Sequence, residues 1–319
     1  TRCLSDWSSD VCSSDLASVP VTVDGRVIRL TNLDKVLWPQ GGYTKAHLIR
    51  YYTEIAPVLL PHLRGRPLTV TRFPDGVKGE SFYQKNAPAH TPNWVRTHRV
   101  EGEEKPIDYI LAEDTATLVW LANQACIELH PWLSTIDSPE KPDRIVIDLD
   151  PDPPSGFREA RRIALVVKEV LDRLGLRGYP KLSGATGVHI VIPVVPEHPY
   201  SVTSRFAGFI GRVVADLFPD EATVERRVRD RRGRVYLDHL QNLPGKTIVA
   251  AYSVRPGKRP TVSMPVTWEE LETCQPEDFT IDTVPGLVGR SDRAAAVLTD
   301  RQDISPWVAE LVENAGMHF

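Results

Sequence analysis

The sequence has few cysteines, no long apolar run and no large excess of charge of either sign. It contains four cysteines in 319 residues, and only Cys126 and Cys274 lie beyond residue 16. Two cysteines so far apart form neither a metal-ligand spacing nor a disulfide framework, which is typical of a reducing cytoplasm. No apolar run approaches the roughly 20 residues of a membrane span. The net charge of −4 excludes a generic basic coat for nucleic acid, so any nucleic-acid contact must come from local patches.

Residues 1–16 differ from the rest of the chain. They are rich in serine and aspartate, show no periodicity and lack the apolar core of a signal peptide. We interpret them as a translated sequencing-adapter artefact and leave them out of the fold prediction. Because 17–319 contains neither an internal repeat nor a low-complexity linker, we expect one large domain over 17–303 and a C-terminal helical tail over 304–319.

Two acidic residues follow a short apolar run near the middle of the chain. The run 145–147 is predicted to be a buried strand that carries Asp148 and Asp150, and the prolines from Pro151 onward end it. Side chains alternate across a strand, so both carboxylates point the same way. Such a pair can hold a hard divalent cation, although a solvated strand end would show the same pattern. Asp238 ends a later predicted strand and is the third carboxylate expected beside this pair.

Two further stretches have features of anion-binding sites. Ser183, Gly184 and Gly187 are predicted to form a tight turn with exposed N–H groups, with a plain glycine hairpin as the alternative. Lys45 is predicted in the first turn of a helix that runs from the N-cap Thr44 to about residue 60. The helix dipole disfavours a cation there, so Lys45 and the nearby Lys35 suggest a bound anion, with a solvated lysine pair as the alternative.

Three other clusters are compatible with nucleic-acid contact and with a structural role. Phe82, Tyr83 and Lys85 interleave aromatic and basic side chains, a pattern that can stack a base and contact a phosphate. His130 is predicted at the edge of a strand. Six arginines are predicted to form a hairpin tip, either solvated or clamped on a nucleic-acid backbone. They are Arg226, Arg227, Arg229, Arg231, Arg232 and Arg234.

Periodicity and turn signals predict the remaining elements. Asp24 and Gly25 mark a hairpin within 21–30. Strands are predicted at 68–73, 81–86, 127–132, 188–192 and 247–254. Helices are predicted at 115–126, 156–174, 201–217, 268–271 and 305–313.

The order of these motifs resembles one known family. Asp148-x-Asp150, Ser183-Gly-x-x-Gly-x-His189 and Tyr-Leu-Asp238 follow one another as in the archaeo-eukaryotic primase superfamily. The chain most closely resembles the polymerase domain of bacterial ligase D, a repair enzyme of non-homologous end joining. Supporting matches lie at 33–35, 128–132 and 249–255, and the similarity extends over 21–303.

The resemblance implies a fold, an activity and a set of site residues. The implied fold is α/β (α+β), with two packed sheet-and-helix layers and a central active-site cleft. The implied activity is template-directed addition of nucleotides, preferentially ribonucleotides, to a primer 3′-hydroxyl at DNA breaks or gaps, with two Mn²⁺ or Mg²⁺ ions and NTP or dNTP substrates. The implied catalytic and metal-binding residues are Asp148, Asp150 and Asp238. The nucleotide-binding residues would be Ser183, Gly184, Gly187, His189, Arg255, His130, Gln241 and Phe82, and a DNA 5′-phosphate would be bound by Lys35, Lys45 and Asn32.

The resemblance also implies partners and a location. These are DNA with double-strand breaks or 5′-phosphorylated gaps, the Ku end-binding protein and a DNA ligase domain in cis or in trans, in the bacterial cytoplasm and associated with the nucleoid. Some relatives carry a lysine in the 184–187 loop, where this chain has Ala185 and Thr186. A stand-alone primase is one alternative. A DNA-end-binding scaffold with relic acids is another, and the presence of all three acids argues against it.

Overall fold

The chain divides into two units, each with its own sheets and helices. The computed structural model describes residues 2–3, 18–102, 105–289 and 291–309. Unit 1 comprises 1–131, 252–262 and 279–292, and unit 2 comprises 132–251, 263–278 and 293–319. Mixed sheets and helices in both units confirm the predicted α/β class. No helix of the described residues has the length and apolar character that a membrane crossing requires.

The predicted artefact and the predicted tail lie largely outside the described residues. Of 1–16, the structure describes only a two-residue strand at positions 2 and 3, and of the tail it describes 304–309, with 305–309 helical. In chain order the elements are β1 (Arg2–Cys3), β2 (Ser18–Val23), β3 (Arg26–Thr31), β4 (Val36–Trp38), β5 (Tyr43–Thr44), α1 (Lys45–Leu63), β6 (Leu68–Arg72), β7 (Phe82–Gln84), β8 (Thr97–Val100), β9 (Ile107–Ile110), α2 (Thr115–Asn123), β10 (Cys126–Pro131), β11 (Arg144–Pro151), α3 (Phe157–Arg173), β12 (Tyr179–Leu182), β13 (Val188–Pro193), α4 (Tyr200–Leu217), β14 (Ala222–Thr223), α5 (Val228–Arg231), β15 (Val235–Asp238), α6 (Trp268–Thr273), α7 (Val284–Val288) and α8 (Ala295–Thr299).

In unit 1, helix α1 anchors the strand that carries His130. The main sheet has the order β10-β6-β9-β8, with β7 also paired to β6, so β10 is an edge strand. Apolar residues recur along α1 at helical spacing, and Leu48, Ile55 and Leu59 are fully buried. Each such side chain contributes roughly 1.5–3 kcal/mol of burial energy. The Tyr52 hydroxyl donates to the Ile127 carbonyl over 2.6 Å, which ties the helix to β10.

In unit 2, β11 is the central strand of a five-stranded sheet with the order β12-β13-β11-β15-β14. Its pairs with β13 and β15 are antiparallel, and β14 runs parallel to β15. Helices α3 and α4 pack on β11 and on each other, and Val146 packs in a cluster with Val191 and Tyr200. The apolar run 145–147 is therefore buried on both faces of the strand. The predicted strand is therefore confirmed, and Asp148 and Asp150 lie near its end.

A buried asparagine side chain extends the pairing of β11. Strand β15 ends at Asp238, opposite Asp148, so Val146 has no backbone partner on β15. The Asn242 amide takes that place, because its Oδ1 accepts from the Val146 N–H over 2.8 Å and its Nδ2 donates to the Val146 carbonyl over 2.7 Å. Asn242 also donates to the His239 carbonyl and is fully buried. One side chain thus satisfies two buried backbone groups of the central strand.

Three predicted elements differ from the structure. Helix α2 ends at Asn123 rather than near 126, because Ala125 adopts a positive φ of 57° and Cys126 begins β10. Residues 247–254 form two isolated bridges rather than a strand, since the backbone turns at Tyr252, where φ is 65°. The arginine segment is no hairpin tip, because β14 and β15 are parallel neighbours and the short helix α5 lies between them.

We predict that Asn242→Ala destabilises the protein. It removes three hydrogen bonds and leaves two buried backbone groups of β11 unpaired, a loss of about 2–4 kcal/mol. Urea unfolding followed by circular dichroism measures the change. Asn93→Ala is the matched control, because Asn93 is exposed and its loss should change the unfolding free energy by about 0.5 kcal/mol or less. Equal effects of the two substitutions would contradict this role for Asn242.

Candidate active site

The three predicted acids of unit 2 emerge on neighbouring strands of one sheet. Asp148 lies directly opposite Asp238, and Asp150 lies opposite Tyr236 in the same ladder. Residues directly opposite one another in an antiparallel pair share a face, with Cβ atoms about 4.5–5.5 Å apart. Asp150 is two residues beyond Asp148 and therefore shares that face as well. Register alone thus gathers three carboxylates on one side of the sheet.

Each of these carboxylates has a protein donor beside it. Asp150 Oδ2 lies 3.2 Å from the Arg231 guanidinium, and Asp148 Oδ1 lies 3.3 Å from His189 Nε2. Asp238 Oδ1 accepts from the backbone N–H of Leu240 over 2.8 Å, and its Oδ2 accepts from the Gln241 amide over 3.3 Å. These donors offset the mutual repulsion of three negative charges on one face.

Arg231 differs from the other arginines of its segment. Its guanidinium lies 4.0 Å from the centroid of the Tyr236 ring and reaches Asp150, so it is neither a solvated residue nor part of an open clamp. Burial raises the pKa of Tyr236 to about 12, and the charge of Asp238 adds to the increase. Arg234 donates to the backbone carbonyls of Asp230 and Arg231 and to that of Pro219, which precedes β14. The exposed members of the segment are Arg226, Arg227, Arg229 and Arg232.

The predicted phosphate turn is tighter than expected. Gly184 has a φ of 77°, and a Cβ atom on Gly187 would lie 2.6 Å from the Leu149 carbonyl oxygen, so this turn requires both glycines. The Ser183 hydroxyl accepts from the N–H groups of Ala185 and Gly187 over 3.1 and 3.0 Å. The predicted exposure of these two N–H groups is therefore wrong, because the Ser183 hydroxyl already accepts their hydrogen bonds.

The carboxylate oxygens of unit 2 suit a hard divalent cation as ligands. Carboxylate oxygens are the ligands that Mg²⁺ and Mn²⁺ prefer, and Asp148, Asp150 and Asp238 share one face. In the part of the chain that the structure describes, no three His, Cys, Asp or Glu side chains converge closely enough to hold a metal ion. The three aspartates are turned toward Arg231, His189 and Gln241 instead. Metal binding would draw the three carboxylates together, and a carboxylate that accepts one hydrogen bond keeps other lone pairs for the cation.

A buried glutamate organises the predicted nucleotide-binding residues of unit 1. Glu128 Oε1 lies 3.1 Å from the Arg255 guanidinium, and its Oε2 lies 3.4 Å from His130 Nε2. The Thr71 hydroxyl lies 3.3 Å from the same histidine nitrogen. Burial would raise the pKa of Glu128, but the bond with His130 and the charge of Arg255 outweigh burial and lower that pKa. The structure therefore brings His130 and Arg255 together around one carboxylate.

The predicted aromatic residues lie on β7, at the surface of unit 1. Phe82 and Tyr83 are 53% and 55% exposed, which is unusual for large aromatic side chains. The Tyr83 ring lies edge-on to His130, with 5.8 Å between centroids. Strand β7 pairs with β6 through Arg72 opposite Phe82. An exposed aromatic surface beside a histidine is able to stack a base.

The two predicted phosphate-binding lysines are close in structure but differ in environment. Lys35 is exposed and pairs with Asp75 over 2.8 Å. Lys45 is only 5% exposed, and its ammonium group donates to the Asn123 carbonyl over 3.1 Å at the C-terminus of α2. Burial, with a smaller effect from Lys35, lowers the pKa of Lys45 to about 8. Asn32 is exposed and has a positive φ of 50°.

Helix α1 offers fewer free N–H donors than predicted. The N-cap Thr44 is confirmed, and its backbone N–H donates to His47 Nδ1. The N–H groups of Lys45 and Ala46 donate to the carbonyls of Lys35 and of Leu33. An anion at this position would therefore depend on the ammonium groups rather than on the helix N-terminus. The C-terminal carbonyl of α2 helps to explain how a buried lysine is tolerated here.

Comparison with known proteins identifies the family of this chain. A model of the LigD primase-polymerase domain matches residues 44–294. The chain belongs to the LigD primase-polymerase domain family. This confirms the predicted enzyme class, a DNA-directed nucleotidyltransferase, and the predicted resemblance.

Individual relatives agree with the family assignment. The bifunctional non-homologous end joining protein LigD of Bacillus subtilis is 40% identical over 259 residues, which are 81% of this chain and 42% of that protein. The multifunctional LigD of Mycolicibacterium smegmatis is 36% identical, over 76% of this chain and 32% of that protein. The chain thus spans less than half the length of these relatives. The polymerase domain of Mycobacterium tuberculosis ligase D, solved in complex with DNA, matches with a TM-score of 0.79 and 30% identity, over 86% of this chain and 99% of that one.

Several residues of the LigD-type site were not predicted from the sequence. Glu128, Lys181 and Arg231 each contact a predicted site residue. A signal existed for Glu128, because it precedes His130 by two positions on one strand and therefore points the same way. No local signal existed for Lys181 and Arg231, whose partners are contributed by other strands.

We predict that Lys45 makes stability depend on pH in a defined window. Below pH 8 Lys45 is charged in the folded and unfolded chain, so the cost of burying the charge is fully present. As pH rises through 8, the folded chain releases this proton, whereas the unfolded chain keeps it until about 10.5. The unfolded state then binds more protons, so stability rises with pH.

The measurement compares wild type with Lys45→Met between pH 7 and 9.5. The unfolding free energy of wild type should gain on the order of 1 kcal/mol relative to the variant, a value reduced for solvent screening. Using the variant as the reference removes the contribution of every other titrating group. A difference that stays constant with pH would contradict the assignment.

Proposed function

We propose that this chain adds nucleotides, preferentially ribonucleotides, to a primer 3′-hydroxyl at DNA breaks or gaps under the direction of a template. The observation that carries the proposal is the row of carboxylates on β11 and β15. Asp148, Asp150 and Asp238 share one face of a sheet by register. Nucleotidyl transfer needs divalent cations at the reacting phosphate, and hard oxygen ligands are what such cations require.

We assign the metal-binding role to these three aspartates. Two Mn²⁺ or Mg²⁺ ions, when bound, would activate the primer 3′-hydroxyl and neutralise charge on the triphosphate. The aspartates would orient the ions, and the residues around them would align the NTP or dNTP. Ser183, Gly184, Gly187 and His189 border the acids through β13 and its turn and would contact the triphosphate. Gln241, which contacts Asp238, would contact the sugar or the triphosphate.

We assign recognition of the incoming nucleotide and of a base to unit 1. Arg255 would bind phosphate oxygens in a bidentate manner, while Glu128 holds its guanidinium in place. His130 would lie beside the nucleotide, and Phe82 would stack on a base. A site that hydrogen-bonds a 2′-hydroxyl penalises its absence, which would favour ribonucleotides.

The proposed biological role is the filling of gaps during non-homologous end joining. The relatives are named end-joining proteins, and the matched structure contains DNA. We therefore propose that broken or gapped DNA is the partner, with Ku and a DNA ligase domain acting in cis or in trans in the bacterial cytoplasm, near the nucleoid. A stand-alone primase would instead start chains without a primer, and a scaffold would bind ends without extending them.

We predict that Asp148→Asn and Asp238→Asn abolish extension while DNA binding persists. Losing a cation that stabilises the transition state by several kcal/mol should lower the rate on the order of 10³-fold or more. Extension of a gapped duplex with ATP and with dATP, with and without primer and Mn²⁺, measures the activity and the sugar preference together. Asp152→Asn is the matched control, since Asp152 lies past β11 and accepts from the Gly233 N–H. Rates within tenfold of wild type for either aspartate variant would refute the assignment.

We predict that Lys35 and Lys45, assisted by Asn32, bind a 5′-phosphate at the downstream side of a gap. Wild type should bind phosphorylated gaps at least tenfold more tightly than unphosphorylated ones at low salt, and Lys35→Ala/Lys45→Ala should lose this preference. Raising the pH above 8 should weaken the preference, because Lys45 then loses its charge. Fluorescence anisotropy with both DNAs measures it.

The matched control for the lysine pair is Lys168→Ala. Lys168 is an exposed lysine of unit 2 that pairs with Asp172 on the same helix. Its substitution removes one positive charge but should leave the preference for the phosphorylated gap intact. If wild type bound both gapped DNAs equally, the two lysines would have no role in phosphate recognition.

A further inference from the structure

A row of polar side chains crosses four strands of the unit 2 sheet. Lys181 of β12 lies opposite His189 of β13. His189 lies opposite Asp148 of β11, and Asp148 lies opposite Asp238 of β15. Residues that face one another across successive pairs point to the same side of the sheet. The row therefore begins with a lysine and ends with two of the proposed metal-binding acids.

Lys181 is held in one position by two short contacts. Its ammonium group lies 2.8 Å from His189 Nδ1 and donates to the Ser263 hydroxyl over 2.6 Å. Ser263 in turn donates to the Leu182 carbonyl over 2.8 Å. All three polar side chains, those of Lys181, His189 and Ser263, are buried. Ordinary packing would favour an apolar side chain at such a position, because burying an ammonium group costs free energy.

The chemistry of these groups decides where the proton of His189 lies. A lysine ammonium group carries hydrogens but no lone pair, so it can only donate. With Lys181 protonated, His189 Nδ1 accepts, which leaves the ring proton on Nε2. That nitrogen lies 3.3 Å from Asp148 Oδ1, close enough for its N–H to donate to the carboxylate. The bond to one carboxylate oxygen then sets the orientation of the whole Asp148 side chain.

We propose that Lys181 is a positioning residue that fixes the tautomer and ring orientation of His189 and, through it, the orientation of Asp148 for metal binding. The inference rests on the proposed metal-binding role of Asp148. Groups that orient a metal ligand in this way typically change metal affinity about 10- to 100-fold when they are removed. Lys181 would thus act through His189 rather than on the metal or the nucleotide itself.

The first test observes the His189 ring in the metal-free protein by nuclear magnetic resonance. Protein labelled with ¹⁵N-histidine reports which ring nitrogen carries the proton, and the signal lost in His189→Asn identifies His189. Wild type should show a single form with the proton on Nε2. In Lys181→Met, which keeps the length but has no donor, the two nitrogen resonances should move toward each other. A ring signal identical to that of wild type would overturn the proposal.

Two further variants provide an alternative test and a control. Ser263→Ala removes the hydroxyl that holds the ammonium group and should shift the His189 signals in the same direction but less, so the proposal stays testable if Lys181→Met does not fold. Lys168→Met removes an exposed lysine of the same unit and should leave the His189 signals unchanged. A shift in the Lys168 variant would show that the ring responds to any loss of lysine, which would contradict the proposal.

The second test measures Mn²⁺ affinity by calorimetry. Lys181→Met should weaken Mn²⁺ binding about tenfold or more. In protein that already carries His189→Asn, the same substitution should weaken Mn²⁺ binding less than threefold, because no imidazole ring then links Lys181 to Asp148. Additive effects would show that Lys181 acts through packing alone. Failure of the proposed metal-binding role of Asp148 would give a different result from failure of this inference. In that case Asp148→Asn would bind Mn²⁺ as tightly as wild type, whatever tautomer His189 adopts.

Discussion

The antiparallel register of β11 with its two neighbours is the constraint on which the unit 2 site depends. Asp148 faces His189 on one side and Asp238 on the other only in this register. A slip of one residue would turn every side chain of the strand to the opposite face and bury the acids among apolar residues. The buried amide of Asn242, which pairs with Val146 where β15 has ended, supports the same register.

Pairing of acidic side chains with positively charged or hydrogen-bonding partners is the second feature of both units, and its arrangement differs between them. In unit 2 the acids face the donors, and Arg231 and His189 lie beside Asp150 and Asp148. In unit 1 a single buried acid, Glu128, contacts both Arg255 and His130. Buried charges are costly unless they are paired, so pairing matters most for Glu128, which is buried, and less for Asp150, which is exposed. These contacts hold the predicted site residues in place.

Several residues break the rules of local structure, and they coincide with the proposed functions. Lys45 is a buried cation in the first turn of a helix, and Phe82 and Tyr83 are aromatic side chains left at the surface. Such conflicts between local preference and position are expected where function outweighs stability. The lowered pKa of Lys45 is the measurable sign of that cost.

The sequence by itself determined the elements whose signals are local. Apolar periodicity and capping placed α1, α3, α4, β11 and the hairpin of β2 and β3, and the spacing of Asp148 and Asp150 put them on one face. It misjudged residues 247–254 and the arginine segment, where positive φ angles and a parallel strand pair decide the path. Only the tertiary structure decided that Arg231 reaches Asp150 and that Lys181 reaches His189. The first contact joins the end of α5 to β11 and the second joins β12 to β13, and such approaches depend on long-range packing that no local pattern records.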